Sequence, residues 1–64
     1  MLRPNPNEFI GLLYNEARLN ADKAGIRLRI TRIGDKAMAI TDDMDDERLN
    51  IDLLDNRITK ASYG

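Results

Sequence analysis

Gly34-Asp35-Lys36-Ala37-Met38-Ala39-Ile40 is the stretch whose reading decides the fold. Its first three residues are turn chemistry, because glycine and aspartate accept reversed backbone conformations cheaply. Residues 37–40 then read in two ways. As a strand, they hairpin onto the strand before them, and the sheet becomes an antiparallel meander. As the arm of a longer loop, they let the flanking strands at residues 26–31 and 49–53 lie side by side in parallel.

Upstream, Ile26-Arg27-Leu28-Arg29-Ile30-Thr31 alternates apolar with polar, the pattern of a strand with one buried face. Arg27 and Arg29 project from the other face, and Arg32 lies close by after the alternation slips at Ile33. Such arginines usually solubilise the open side of a strand. Before them, Asn5-Pro6-Asn7-Glu8 is a helix start: a capping side chain, a proline at the first position and a capping-box glutamate. Ile10, Leu13, Ala17, Ala21 and Ala24 recur at helical spacing, flanked by Phe9 and Tyr14, and Gly25 supplies a left-handed stop. The pattern predicts one helix over residues 6–24, with Gly11 inside it at a cost of about 1 kcal/mol relative to alanine. Residues 1–5 read as a poorly ordered lead.

Downstream, Asp42, Asp43, Asp45, Asp46 and Glu47 place five acids in six positions. Leu49-Asn50-Ile51-Asp52-Leu53 then alternates, with Leu49, Ile51 and Leu53 inward. Leu54-Asp55-Asn56-Arg57 is a tight turn in which Asn56 is the best candidate for a positive φ. Residues 58–63 form the last strand, ahead of Gly64. The order predicts a single α+β domain over residues 1–64, with one N-terminal helix packed on a small three- to four-stranded sheet.

Composition narrows the function. The 64 residues contain no cysteine and no histidine, which removes disulfides, thiolate metal sites and the commonest general base. Nucleophilic catalysis would fall to Ser62 or a threonine with no evident base. Paired carboxylates need a pocket that separates their pKa values, which a solvated loop on so small a domain does not offer. The expectation is a non-enzyme without catalytic residues or cofactor. The acids fall as two pairs around Met44, without the alternation, glycine and late glutamate of a helix-loop-helix calcium site, so no metal site is expected. A net charge of −1 forecasts no general attraction to nucleic acid. The N-terminus lacks a secretion-signal pattern and no apolar run approaches a membrane span, so the expected location is cytoplasmic.

Ile33-Gly34, Thr41-Asp42-Asp43, Arg48-Leu49-Asn50-Ile51, Leu54-Asp55-Asn56 and Gly64 carry a resemblance. Over residues 25–64 the chain resembles the potato-type-I serine protease inhibitors, and more closely their small bacterial and fungal elastase-inhibitor relatives. The interval of seven from Thr41 to Arg48 fits that pattern. The resemblance implies a substrate-like loop that enters a serine protease cleft and is cleaved very slowly. Thr41 would precede the specificity residue, Asp42 would be that residue, Asp43 would follow the scissile bond, and Met44 would complete the reactive segment. Arg48 would reach beneath the loop to Thr41 and Asp43, each charge-assisted bond being worth about 1.5–3 kcal/mol. Asn50 and Gly64 would complete this support. The chain departs from the pattern in three extra residues between Gly34 and Thr41, in Tyr63 where the bacterial relatives have cysteine, and in Met44-Asp45-Asp46 after the scissile position.

Two functions follow as expectations. One is a serine protease inhibitor presenting the acidic loop from Thr41 to Glu47. The other is a protein-binding or accessory module of similar fold that uses the sheet edge or the loop, with a homodimer among its forms.

Overall fold

In the computed structural model, which describes residues 3–64, a 3-10 turn (Pro6–Phe9) leads to α1 (Tyr14–Ala24). The strands β1 (Arg27–Ile33), β2 (Lys36–Ala37), β3 (Arg48–Leu54) and β4 (Arg57–Tyr63) follow. They form one mixed sheet in the order β2-β1-β3-β4. This is a small α+β arrangement with an open sheet.

The strand between Gly34 and the loop is too short to become a meander. Gly34-Asp35 does reverse the chain, and β2 pairs antiparallel with the end of β1 through Arg32 and Ile33. Among the described residues one further bond, from the Met38 amide to the Thr31 carbonyl at 3.0 Å, extends the pairing. The other edge of β1 is taken by β3, which runs parallel to it from Arg27–Arg48 to Ile33–Leu53. Thr31 is the extra residue of a bulge in β1, where the pairing jumps from Ile30 to Arg32. This accounts for the slip in alternation. β4 returns antiparallel on β3 through a turn in which Asp55 and Asn56 both have positive φ, at 51° and 66°. The expected candidate, Asn56, is one of the pair that a tight hairpin of this kind needs.

Alternation in β3 sends Leu49, Ile51 and Leu53 into the core, where they meet Ile58 of β4, Ile26, and Ala17 and Ala21 of α1. The two small side chains let α1 lie close on the sheet. Its end is set by Gly25 in the left-handed region, φ 72°, as read from the sequence.

The single helix over residues 6–24 is not what forms. The capping signals at Asn5 are real: its Oδ1 accepts from the Asn7 amide at 2.9 Å, and Glu8 Oε2 accepts from the Asn5 amide at 2.7 Å. They cap only the 3-10 turn. Gly11 then adopts φ 90°, and the chain runs extended along the β3–β4 hairpin. Gly11 N donates to the Ile58 carbonyl at 2.8 Å, Ile58 N to Leu12 at 3.0 Å, and Tyr14 N to Asn56 at 3.0 Å. These bonds satisfy the start of the open side of β4, at Ile58, which a continuous helix would leave unpaired. In consequence Phe9 enters the core while Ile10 and Leu13, expected inward, are exposed.

The lead also differs from expectation. Its first two residues lie outside the described ones, but Arg3 and Pro4 are docked. The Arg3 guanidinium stacks 4.0 Å from the centroid of the Tyr63 ring, and the Tyr63 hydroxyl donates to the Pro4 carbonyl at 2.8 Å. Burial raises the Tyr63 pKa above its ordinary value.

Candidate functional site

Residues 38–47 leave β2, cross the end of the sheet without regular structure, and re-enter at β3. The loop joins β2 to β3, the two strands that flank β1 in the sheet, so both of its ends rest on neighbouring backbone. The Arg27 amide donates to the Glu47 carbonyl at 2.9 Å, at the point where β1 begins and the loop ends. Polar side chains on the face opposite the core are therefore placed beneath the loop by strand alternation alone.

Arg48, the first residue of β3, is the principal support. Its Nη2 donates to the Asp43 carbonyl at 2.8 Å, its Nη1 to Asp43 Oδ2 at 3.2 Å, and its Nε to the Gly64 oxygen at 3.1 Å. The side chain is only 13% exposed, whereas that of Asp43 is 58% exposed. Asn50, two residues along the same face, donates from Nδ2 to the same Gly64 oxygen at 3.1 Å. The three expected support residues thus converge on one another, and Arg48 carries their order to Asp43.

Contrary to the expectation of a bond from Arg48 to Thr41, the Arg48 side chain reaches, among the described residues, Asp43 and Gly64 only. The contact with Thr41 is made by Arg29 of β1, which strand alternation alone assigns to the solubilising open face. Arg29 Nη1 donates to the Thr41 hydroxyl at 3.2 Å and to its carbonyl at 3.3 Å. Arg29 Nε donates to Asn50 Oδ1 at 2.8 Å, which orients the guanidinium. The Thr41 hydroxyl in turn donates to Asp43 Oδ1. The sequence signal for Arg29 lay in the register: parallel pairing sets Arg29 beside Asn50.

The acidic cluster divides by partner. Asp43 is bound by Arg48, with Arg29 at 3.7 Å, and Asp45 is paired with Arg27. Asp45 also accepts from the Glu47 amide at 2.9 Å, and Arg3 donates to the Asp46 carbonyl. The Thr41 hydroxyl first, and the Arg48 guanidinium second, lower the Asp43 pKa from 3.8 to about 2. Among the described residues no side-chain bond or ion pair engages Asp42, and Met44 is 84% exposed. The two residues flanking Asp43 are therefore offered outward while Asp43 is held. Among the described residues no group of three carboxylates is placed to hold a metal ion, and no helix is long and apolar enough to cross a membrane.

One helix on an open mixed sheet, with an extended loop braced from beneath by two arginines, defines the class of structure. No family model, no curated protein and no solved structure matches the chain.

Proposed function

We propose that the chain is a serine protease inhibitor that presents residues 41–44 as a substrate-like segment. The observation that carries this reading is the Arg48 bridge, which ties Asp43 in the loop to Gly64 in the scaffold. A protease binds substrate in extended form, and a free peptide must be ordered at a cost of about 0.5–1.5 kcal/mol per immobilised side chain. A loop already held extended by its own scaffold avoids much of that cost. The resemblance over residues 25–64 adds to the reading, since it places the scissile bond between Asp42 and Asp43. The parallel pairing of β1 with β3 is the topology that reading needs.

In this role Asp42 enters the specificity pocket, and its exposed carboxylate, which no ion pair engages among the described residues, suits a pocket lined by cations. The chemistry favours an acid-specific serine protease over elastase or subtilisin. In the reaction the protease serine oxygen bonds to the Asp42 carbonyl carbon, the Asp42–Asp43 bond breaks, and the serine proton passes to the Asp43 nitrogen. Held in place, that nitrogen can reverse the step.

The test is inhibition and size of the complex with glutamate-specific, elastase-type and subtilisin-type proteases. A one-to-one complex with the first is expected, with Asp42→Leu shifting preference to the others and Arg48→Gln weakening inhibition about tenfold or more. Absence of inhibition across all three would remove this reading and leave the loop as a surface for a different protein partner.

A further inference from the structure

We infer that Arg29 is a positioning residue for the acyl half of the reactive segment, so that the two parallel strands each hold one side of the scissile bond. This rests on the inhibitory reading above. The hydrogen bonds to the loop divide by side. Arg29 of β1 donates to Thr41, through its hydroxyl and carbonyl, and so holds the chain leading into Asp42, while its contact with the Asp43 carboxylate is a longer ion pair at 3.7 Å. Arg48 of β3 reaches the Asp43 carbonyl and carboxylate, and so holds the chain leading away. Two links join the halves. Above, the Thr41 hydroxyl donates to the Asp43 carboxylate. Below, Asn50 accepts from Arg29 and donates to the Gly64 oxygen that also accepts from Arg48. Arg29 is 18% exposed, so its guanidinium is fixed in a largely enclosed site rather than spread over the open sheet face.

The consequence concerns the cut state. Once the Asp42–Asp43 bond opens, the new Asp42 carboxylate and the new Asp43 amine stay together only if both arms are tethered. Arg48 alone would keep the amine in place and let the acyl arm, residues 38–42, swing away on β2, which is only two residues long. Arg29 restrains that arm. It therefore sets how often the bond is remade before the acyl-enzyme meets water.

The experiment compares the full chain with Arg29→Gln, Arg29→Lys and Arg48→Gln, in two measurements. In the free proteins, backbone order parameters of the loop are read residue by residue from amide nitrogen relaxation. Arg29→Gln is expected to lower them at Ile40, Thr41 and Asp42, from about 0.85 toward about 0.6, while leaving Met44 to Glu47 near the parent. Arg48→Gln is expected to do the reverse, and Arg29→Lys to recover part of the order. With an inhibited protease, Arg29→Gln is expected to be turned over about tenfold faster and to accumulate as cut chain, whereas the parent holds cut and intact forms together. Thr41→Val, which removes the hydroxyl that accepts from Arg29 and donates to Asp43 and leaves the Arg29 side chain in place, gives the same direction should Arg29→Gln fold poorly.

Equal loss of order in both halves after Arg29→Gln, or unchanged turnover by a protease that the parent inhibits, would overturn the division. If the parent inhibits no protease, the inhibitory reading fails instead, and the relaxation measurement still decides whether Arg29 holds the half assigned to it.

Discussion

The α1-facing side of the sheet and its loop end are held by opposite kinds of interaction. On the first, Leu49, Ile51 and Ile58 pack with Phe9, Ala17 and Ala21, and among the described residues no polar residue is buried. On the second, order comes from guanidinium, amide and carboxylate groups that remain partly wet. Burial is non-directional and worth about 25 cal/mol per Å2, whereas exposed ion pairs contribute about 0–1 kcal/mol each. The core therefore decides whether the chain folds, and the loop bonds decide where one segment of it points. β3 serves both, because its alternation sends Leu49, Ile51 and Leu53 one way and Arg48, Asn50 and Asp52 the other.

The largest break in this division comes from the core. Ile51→Ala removes a fully buried side chain at the centre of the sheet. The expected loss is about 2–5 kcal/mol, set against a net stability of about 3–10 kcal/mol for a chain of this size. Urea unfolding followed by circular dichroism reads it. Loop and core should be lost in one transition, since the loop has no order without the strands beneath it. A loss below about 1 kcal/mol would show that the cluster around Ile51 is not what holds the sheet together.

A smaller effect tests where the boundary between turn and helix falls. At Gly11, φ 90° is a conformation that side chains with a Cβ rarely adopt, although nothing crowds the site. Gly11→Ala should therefore cost about 1–3 kcal/mol. In an uninterrupted helix the same substitution would stabilise by about 1 kcal/mol, so the sign of the shift in unfolding midpoint separates the two arrangements.

What the sequence could and could not convey follows the same line. The core strands were legible because one pattern, alternation, reports both element and face, as in Leu49-Asn50-Ile51-Asp52-Leu53. Gly25 and Asn56 were legible because each needs a backbone region that few residues enter. The break at Gly11 was not, because it depends on bonds from residues 11–14 to a hairpin more than forty positions away. Helical spacing in Ile10 and Leu13 is local and outweighed by those bonds. At the loop, Arg48 to Asp43 is a short-range pair and could be anticipated. Arg29 to Thr41 could not, since it requires the parallel register that the stretch around residues 34–40 left open. The docking of Arg3 on Tyr63 joins the two ends of the chain and leaves no periodic trace.

The smallest expected effect isolates the loop from the core altogether. Asp43 has its pKa lowered from 3.8 to about 2, by the Thr41 hydroxyl first and Arg48 second. With the loop detached, the carboxylate would take up its proton near the ordinary value, and with the loop in place it resists. Between these two values the detached state binds more protons, so the braced loop loses stability as pH falls. The contribution is complete above about pH 4 and fades as pH drops through about 2. Because Asp43 is more than half exposed, the change should stay local. Carboxyl carbon shifts of Asp43 and the amide shifts of Thr41 and Arg48 should titrate with a midpoint near 2, while the amides of Ile51 and Ile58 hold their native positions between pH 5 and pH 3. A midpoint at the ordinary carboxylate value would mean that the Thr41–Asp43–Arg48 contacts do not persist in solution. Loss of the core amides in the same range would mean that the two regions are not held separately.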